Sequence, residues 1–487
     1  MAGREEVVPF ALDEKEWERL QRVSPPKAVD VGYYLFRTGE ESHSLFFIIK
    51  GIVQLHIDDQ WGIPFSQGET VGGFGFLECH NRRGSAVVTG VGTMLMEVTR
   101  EMLLQLDVST VTKLYRSVGC SVTSLLSGED IYKKIDVLLL QDGGCAPGYN
   151  TVTYFLAANF SNRFVCAARE GFKSLVSNQS NDFCALISDK QAFQQYSLVP
   201  RVHYSPDLRD RRGAAFRAER YPAFREKANQ KRAVKCIRDR KIRVLITIGG
   251  NGTLAGTREL ARWLSPYNVQ VFFIPATIDS DLLGTECLGE HTAVEVGAEK
   301  LRCYMADAET HKRAYIIEMM GAEGGFHALR SCIGAGANLA VLPNSKIDMK
   351  KLATVIMKND FLVIAVAEGY GKVSKNPEER KARKSAGSAA HYLLAQLRAT
   401  GILNDEKRVI AEPFSRDIRG AMPNNVDILL AQRFAKQVTD MVNRGDTDCM
   451  PTVLNDQLSS LPLDGVETDN SVSTADMRLG DRLGVHL

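Results

Sequence analysis

Beyond Lys133 the apolar residues stop alternating with polar ones and come in near-continuous runs. That change constrains the fold more than any other feature of the chain. The runs are Ile135–Leu140, Arg243–Ile248, Val269–Ile274, Arg313–Met319 and Phe361–Gly369. A strand buried on both faces reads as a continuous apolar stretch, whereas a strand with one wet face alternates. Between the runs lie helical stretches such as Glu226–Arg240 and Thr292–Ala306. Strands alternating with helices predict a parallel α/β sheet, and open α/β sheets place their ligands at the carboxyl ends of their strands. Several of these runs lead straight into glycine or carboxylate clusters.

The first third of the chain reads differently. From Val31 to Val98, short strand-like pieces (Tyr33–Gly39, Ser44–Gly51, Ile52–Ile57, Met94–Val98) are broken by glycines. That spacing predicts a small all-β barrel or jelly roll. Residues 101–128 then show a helical period in Leu103, Leu104, Val111, Leu114, Tyr115, Val118 and Val122. The chain after Asp456 turns polar and rich in Ser and Asp, which predicts a loosely held tail. The expected division is therefore 1–130 for the β domain with its trailing helix, 131–460 for the α/β part and 461–487 for the tail.

Composition removes some classes of function. The chain has 487 residues, a formal charge of +2 and 44% hydrophobic residues, which predict a globular protein with no global field for nucleic acid or membrane. It has no run of eighteen apolar residues, and its N-terminus, Met1–Phe10, lacks the apolar centre of a signal peptide. The ten cysteines include no C-x-x-C pair, which argues against a zinc site and a disulfide framework and for reduced thiols in a cytoplasmic protein. Residues 201–243 hold fifteen Lys/Arg against five Asp/Glu. No aromatic stacking pattern accompanies that excess, so a solvated helix face with a phosphate funnel is preferred over nucleic-acid binding.

Three strand ends carry the chemistry. Gly143-Gly144-Cys145-Ala146-Pro147-Gly148 follows the first run, and Gly249-Gly250-Asn251-Gly252-Thr253 follows the second. Glycines there allow close approach to a phosphate, and the next helix N-terminus points amides at it, although many strands end this way without binding anything. The third is Pro275-Ala276-Thr277-Ile278-Asp279-Ser280-Asp281. Aspartates two apart on an extended segment share one side, where one accepts a hydroxyl proton and the other assists with a metal. Loop-capping aspartates are the structural alternative.

Taken in order, these motifs resemble the phosphofructokinase family over residues 133–460. The segment Glu219–Arg225 resembles that family's ATP-contacting stretch. His311-Lys312-Arg313, Met320-Gly321, Ala367-Glu368-Gly369 and Arg416-Asp417-Ile418-Arg419 follow at family-like separations. The resemblance implies that Asp279 is the base toward the sugar 1-hydroxyl, with Thr277 and Asp281 beside it. It implies a nucleotide phosphate cradle of Gly143, Gly144, Arg220, Gly250, Gly252 and Thr253. Arg313, Met320, Gly321, Glu368, Arg416 and Arg419 become the fructose 6-phosphate contacts, with Arg416 standing where the family often has histidine. In family tetramers the arginine matching Arg313 reaches a neighbouring subunit's substrate, and Arg408 is a second candidate for that role. Gly252 and Ala276 are the residue types that accompany ATP rather than pyrophosphate as donor.

The pattern also departs from the family. Asn251 stands where an aspartate holds magnesium; its amide oxygen still ligates, without the charge. Ala322 stands where an arginine stabilises the transferring phosphoryl group. Ser280 replaces an asparagine, Phe172 stands where a tyrosine flanks the nucleotide, and the segment 171–220 is longer than in compact bacterial relatives. In the first third, Gly39-Glu40-Glu41, Leu45–Val53 and Gly72–Leu77 resemble a cyclic nucleotide-binding domain over residues 15–125. There Phe76 occupies the place of the ribose-binding glutamate, and Arg83 is the candidate for the cyclic phosphate.

The expected function is the magnesium- and ATP-dependent phosphorylation of fructose 6-phosphate to fructose 1,6-bisphosphate, a glycolytic step, in an allosteric cytoplasmic kinase. The expected assembly is a homo-oligomer, a tetramer by resemblance, or a complex with a related subunit, with no nucleic acid or membrane partner. The main alternative is a regulatory subunit that binds sugar phosphate or nucleotide without useful turnover. A cyclic-nucleotide-gated scaffold ranks below both, because Phe76 replaces the carboxylate. The β domain is either a docking module or a nucleotide sensor.

Overall fold

A computed structural model of the chain describes residues 12–56, 63–65, 70–78, 80–115, 134–179, 182–190, 201–413, 416–469 and 471–485, with positions 118, 132 and 193. The chain divides into two compact units, Met1–Lys134 with Phe183–Tyr204, and Ile135–Asp182 with Ser205–Leu487.

The first unit holds two four-stranded antiparallel sheets. One runs in the order β1 (Lys27–Val29), β8 (Thr93–Thr99), β3 (Ser44–Lys50), β6 (Thr70–Val71). The other runs β2 (Tyr34–Phe36), β7 (Ser85–Val88), β4 (Val53–His56), β5 (Ile63–Phe65). Phe36, Val53, Phe65, Ala86 and Val88 of the second sheet share a buried cluster with Phe46, Ile48, Val71 and Leu95 of the first. Trp17, Leu20 and Leu103 pack on the opposite face of the first sheet, against Leu45, Phe47, Met96 and Val98.

The expected helix over 101–128 breaks. A short helix Arg100–Leu103 ends, and helix resumes at residue 108 because the Asp107 carboxylate caps the new turn, accepting from Thr110 N–H at 3.0 Å. Val122 lies outside the described residues. Also in this unit, β11 (Phe183–Ile187) and β12 (Val202–Tyr204) pair in parallel, an element the sequence did not announce.

The second unit has two sheets. The larger runs β10 (Val165–Ala168), β9 (Val137–Gln141), β13 (Val244–Gly249), β14 (Gln270–Pro275), β19 (Cys449–Leu454), β20 (Gln457–Pro462), parallel except for the terminal β19–β20 hairpin. The smaller, all parallel, runs β16 (Leu339–Val341), β17 (Leu362–Ala367), β15 (Ala314–Met319), β18 (Val409–Pro413). Every residue of β9, β10, β13 and β17 is buried, as the near-continuous apolar runs require.

In the stretch expected as a loose tail, the described residues 461–469 and 471–485 are anchored. Pro462 ends β20, Leu463 and Val466 are buried, and Arg258 donates to the carbonyls of both. A helix, Thr474–Leu483, follows, capped by Ser473 and tied to the preceding fold by Arg330 and Asp476 at 3.1 Å. Polar composition concealed these few anchors, because each apolar residue that holds the segment down stands alone among Ser and Asp.

Candidate functional site

Strands β9, β13 and β14 are neighbours in register: Gln141 lies opposite Ile248, and Gly249 opposite Pro275. Their carboxyl ends therefore finish level, and the loops that leave them are adjacent although far apart in sequence. The loop after β9 turns through Gly143 (φ +82°), a left-handed conformation that favours glycine. The loop after β13 starts the helix Asn251–Leu264 with no side-chain cap at Gly250, which leaves its first amides for an anion. The loop after β14 carries the aspartates.

These loops line a cavity of about 660 Å³. It brings together Asp279, Thr277, Asp281, Asn251, Gly143, Gly144, Arg220, Gly250, Gly252, Thr253 and Arg419 of the expected residues. Arg225 and Lys227, from the basic stretch 201–243, also face it.

The aspartates do not converge by strand alternation. Ser280 between them is left-handed (φ +51°), so a turn rather than an extended segment places both carboxylates on the cavity. Oδ1 of Asp279 and Oδ1 of Asp281 are buried without a hydrogen-bond partner. Burial raises the Asp279 carboxyl above the usual range, opposed by Arg419, whose guanidinium stands 3.9 Å from it. Burial, and then the charge of Asp279, push Asp281 up to about 6, while the Asn251 side chain bonds to it and works the other way. Buried carboxylate oxygens with no donor are uncommon and mark groups built to meet something else.

Two guanidinium groups flank the first loop. A Cβ added to Gly144 would lie 3.0 Å from Arg419 Nη1 and 3.7 Å from Arg220 Nη2. Arg419 is fixed by donating to the Cys145 carbonyl at 3.3 Å. Opposite, Phe172 and Phe224 stack with centroids 4.2 Å apart and planes 10° from parallel. Gly256 admits that pair, since a Cβ there would sit 2.6 Å from the Phe172 ring. Glycine-loop amides and two guanidinium groups thus share one cavity with an aromatic stack and the carboxylate pair.

Other expected residues lie elsewhere in the second unit. Arg313 pairs with Asp307 at 3.6 Å, Arg416 is exposed, and neither lines the cavity. Met320 and Gly321 follow β15 outside the cavity lining, and Ala322 beside them is left-handed (φ +52°). Glu368 accepts from Lys372 at 2.6 Å, but its charge reaches Asp279.

Asp142, Lys227, Gln230 and Glu259, not singled out from the sequence, also line the cavity, as does Phe224 of the expected stretch Glu219–Arg225. Gln230 and Glu259 sit on helix faces where nothing local distinguishes them from packing residues. Asp142, directly before Gly143, was legible as a carboxylate entering a glycine loop.

A magnesium ion fits the donor set. The described residues include no cluster of three or more His, Cys, Asp or Glu able to hold a metal. Magnesium needs only one or two carboxylates when phosphate oxygens and water complete its shell, and Asp279 and Asp281 offer two orphan oxygens beside the Asn251 amide. Among the described residues no helix is long and apolar enough to cross a membrane.

Comparison with known proteins converges on one family. The family model described as Phosphofructokinase matches residues 136–442. A protein of Persephonella marina named ATP-dependent 6-phosphofructokinase is 28% identical over 343 residues, covering 68% of this chain and 93% of that protein. One of the same name from Staphylococcus epidermidis is 26% identical, covering 72% and 100%. Among solved structures, the pyrophosphate-dependent phosphofructokinase of Nitrosospira multiformis aligns with a TM-score of 0.58 at 15% identity, covering 72% of this chain and 91% of that one. The phosphofructokinase of Saccharomyces cerevisiae aligns at 0.52 and 20% identity, covering 68% and 45%.

Proposed function

The chain belongs to the phosphofructokinase family, and from that premise we propose that it transfers the γ-phosphoryl group of ATP to the 1-hydroxyl of fructose 6-phosphate, giving fructose 1,6-bisphosphate. The observation that carries this reading is the orphan carboxylate pair, Asp279 and Asp281, facing the same cavity as Arg419, Arg220 and the glycine loops. Phosphoryl transfer asks little covalent chemistry of a protein; it asks for alignment, cations on the phosphoryl oxygens and a base.

Asp279 accepts the hydroxyl proton; burial raises its carboxyl and so its basicity, and Arg419 opposes that rise. The amides of Gly143, Gly144, Gly250 and Gly252, with Arg220, seat the donor phosphates, and Phe172 and Phe224 cover the base. Asn251 and Asp281 would hold magnesium, which neutralises charge on the phosphates. Arg419 and Glu368 contact the sugar phosphate from this chain. Arg313, paired within its own chain and away from the cavity, serves a neighbouring subunit in a cytoplasmic homo-oligomer. Gly252 and Ala276 leave room for the adenosine end of ATP.

The N-terminal sheets are a cyclic nucleotide-binding-like sandwich that acts in docking rather than sensing. The regulatory-subunit reading is favoured by two residues, Asn251 and Ala322, each lacking the charge the family pattern carries there.

The deciding experiment is turnover of the full chain with fructose 6-phosphate and magnesium, comparing ATP with pyrophosphate and wild type with Asp279→Ala. ATP-specific turnover that falls by roughly two to four orders of magnitude in the variant supports the kinase. Sugar-phosphate binding with neither donor turned over establishes the regulatory reading instead.

A further inference from the structure

Asp142 directly follows β9 and is 5% exposed. Three groups from three places hold its carboxylate. Phe172 N–H donates to Oδ1 at 3.3 Å, the Thr253 hydroxyl donates to Oδ2 at 3.0 Å, and the Gly143 amide adds a third bond. The pair is closely walled. A Cβ on Gly171 would come 2.2 Å from Asp142 Oδ1, and a Cβ on Gly249 would come 2.3 Å from Thr253 Oγ1. Both glycines are needed for the pair to stand where it does.

A threonine hydroxyl has one hydrogen. While Asp142 takes it, Thr253 meets the cavity with lone pairs alone, and the carboxylate lies behind the same loop. Both features oppose a polyanion in a cradle whose other groups attract one.

We propose that Asp142 is a positioning residue that weakens binding of the donor nucleotide, by holding the Thr253 hydroxyl hydrogen away from the phosphates and by setting a negative charge behind them. This rests on the reading of the cavity as the ATP site.

The charged and titratable groups around Asp142 come from several elements. Tyr149 donates its hydroxyl to the Asp142 carbonyl at 3.0 Å, and burial keeps that phenol protonated. Cys145, Arg220 and Arg419 border the loop, Asp279 and Asp281 line the cavity, and the ion-paired Glu170 and Lys173 lie at the helix that supplies Phe172 N–H. Burial pushes the Asp142 carboxyl up to about 6. Below that value it is a neutral acid able to donate to Thr253, which frees the hydroxyl hydrogen for phosphate. An asparagine reproduces that state at every pH. Its oxygen must stay on Phe172 N–H, so its NH2 faces Thr253.

The test is the dissociation constant of ATP with magnesium, by equilibrium dialysis on the full chain, for wild type, Asp142→Asn and Asp142→Ser. At about pH 8 both variants are expected to bind roughly three- to ten-fold tighter than wild type, and at about pH 5 the advantage is expected to vanish as wild type becomes protonated. A structural strut predicts the opposite sign. Weaker or equal binding in variants that retain the wild-type melting temperature, or an advantage unchanged between the two pH values, overturns the inference; so does loss of the fold in both variants. If turnover of fructose 6-phosphate persists in these cases, the kinase reading survives alone. ATP bound by none of the three proteins overturns both.

Discussion

Each compact unit has a glycine turn that runs directly into a helix, and the two turns end in opposite ways. In the N-terminal unit, Gly72-Gly73 opens the helix Gly73–Glu78. The Arg82 guanidinium donates to the Gly72 carbonyl at 2.7 Å and to that of Ser44, and lies 4.0 Å over the Phe36 ring. Phe76 is buried and faces Tyr115 with centroids 6.3 Å apart, beside a void of only about 10 Å³. Arg83, the expected phosphate contact, is exposed, and its neighbour has gone inside. In the α/β unit, Gly249-Gly250 opens a helix onto a cavity of about 660 Å³ with two unpartnered carboxylate oxygens. A glycine turn shows that backbone can come close to something. Both turns leave buried polar atoms unmet, Arg82 Nε and Ser42 Oγ at the first and the two aspartate oxygens at the second, so what separates the protein's own arginine from a ligand is the room beside the turn.

The largest effect that sharpens this contrast is expected at Arg419. Its guanidinium reaches both the glycine loop and Asp279. Arg419→Ala should lower kcat by roughly two to three orders of magnitude, as loss of a group aimed at developing charge does. It should also raise the pKa that governs the acid limb of the kcat profile, because Arg419 is the main influence holding Asp279 down. Asp279 must be ionised to take a proton, so activity in the variant should fail at higher pH as the solution is acidified. A change in KM alone, with kcat and the acid limb intact, would remove Arg419 from the reacting end of the site.

At the other turn the expectation is structural. Arg82→Met keeps the stem but strands the carbonyls of Gly72 and Ser44, which should cost about 2–3 kcal/mol of unfolding free energy. Urea denaturation of the full chain checks this, reading the first transition because two units need not unfold together. A loss under about 0.5 kcal/mol, accompanied by new binding of a cyclic nucleotide, would mean that Arg82 occupies a ligand's place rather than completing a core.

What the sequence disclosed follows from how each signal is written. Ile135–Leu140, Arg243–Ile248 and Val269–Ile274 announce β9, β13 and β14 because burial on both faces leaves too few polar residues to make an alternation. Their register then makes three separate motifs one site, so much of the cavity lining was legible. β16 is three residues long and β18 is only partly buried along its length, so neither leaves a sustained run. The Phe172–Phe224 stack and the Asp142–Thr253 bond join residues far apart in the chain with no shared local pattern. Ser280 was read as part of an extended segment. Its left-handed turn carries no strong sequence mark, because serine is not a residue that needs positive φ. Arg313 and Arg416 keep family-like spacing without entering the cavity, since spacing records a motif and not where one chain alone puts it.

The smallest expected effect is at Asn251, and it tests whether the open site is also a fully charged one. Asn251→Asp adds a carboxylate to the pair, so the magnesium concentration for half-maximal turnover should fall by roughly three-fold. The gain should not be uniform with pH. Asp281 already sits at about 6 because of burial and the charge of Asp279, and the Asn251 side chain is one of the groups holding it from going higher. Replacing that amide with a carboxylate removes the support and adds a like charge, so Asp281 should move up further. At about pH 8, well above the value for Asp281, the metal gains a ligand. At about pH 6 the variant should carry an extra proton that magnesium must displace, and the advantage should shrink or reverse. Titrating magnesium at the two pH values separates the outcomes. A three-fold gain that persists at the lower pH would place the metal away from Asp281, and no gain at either would place it away from Asn251 as well.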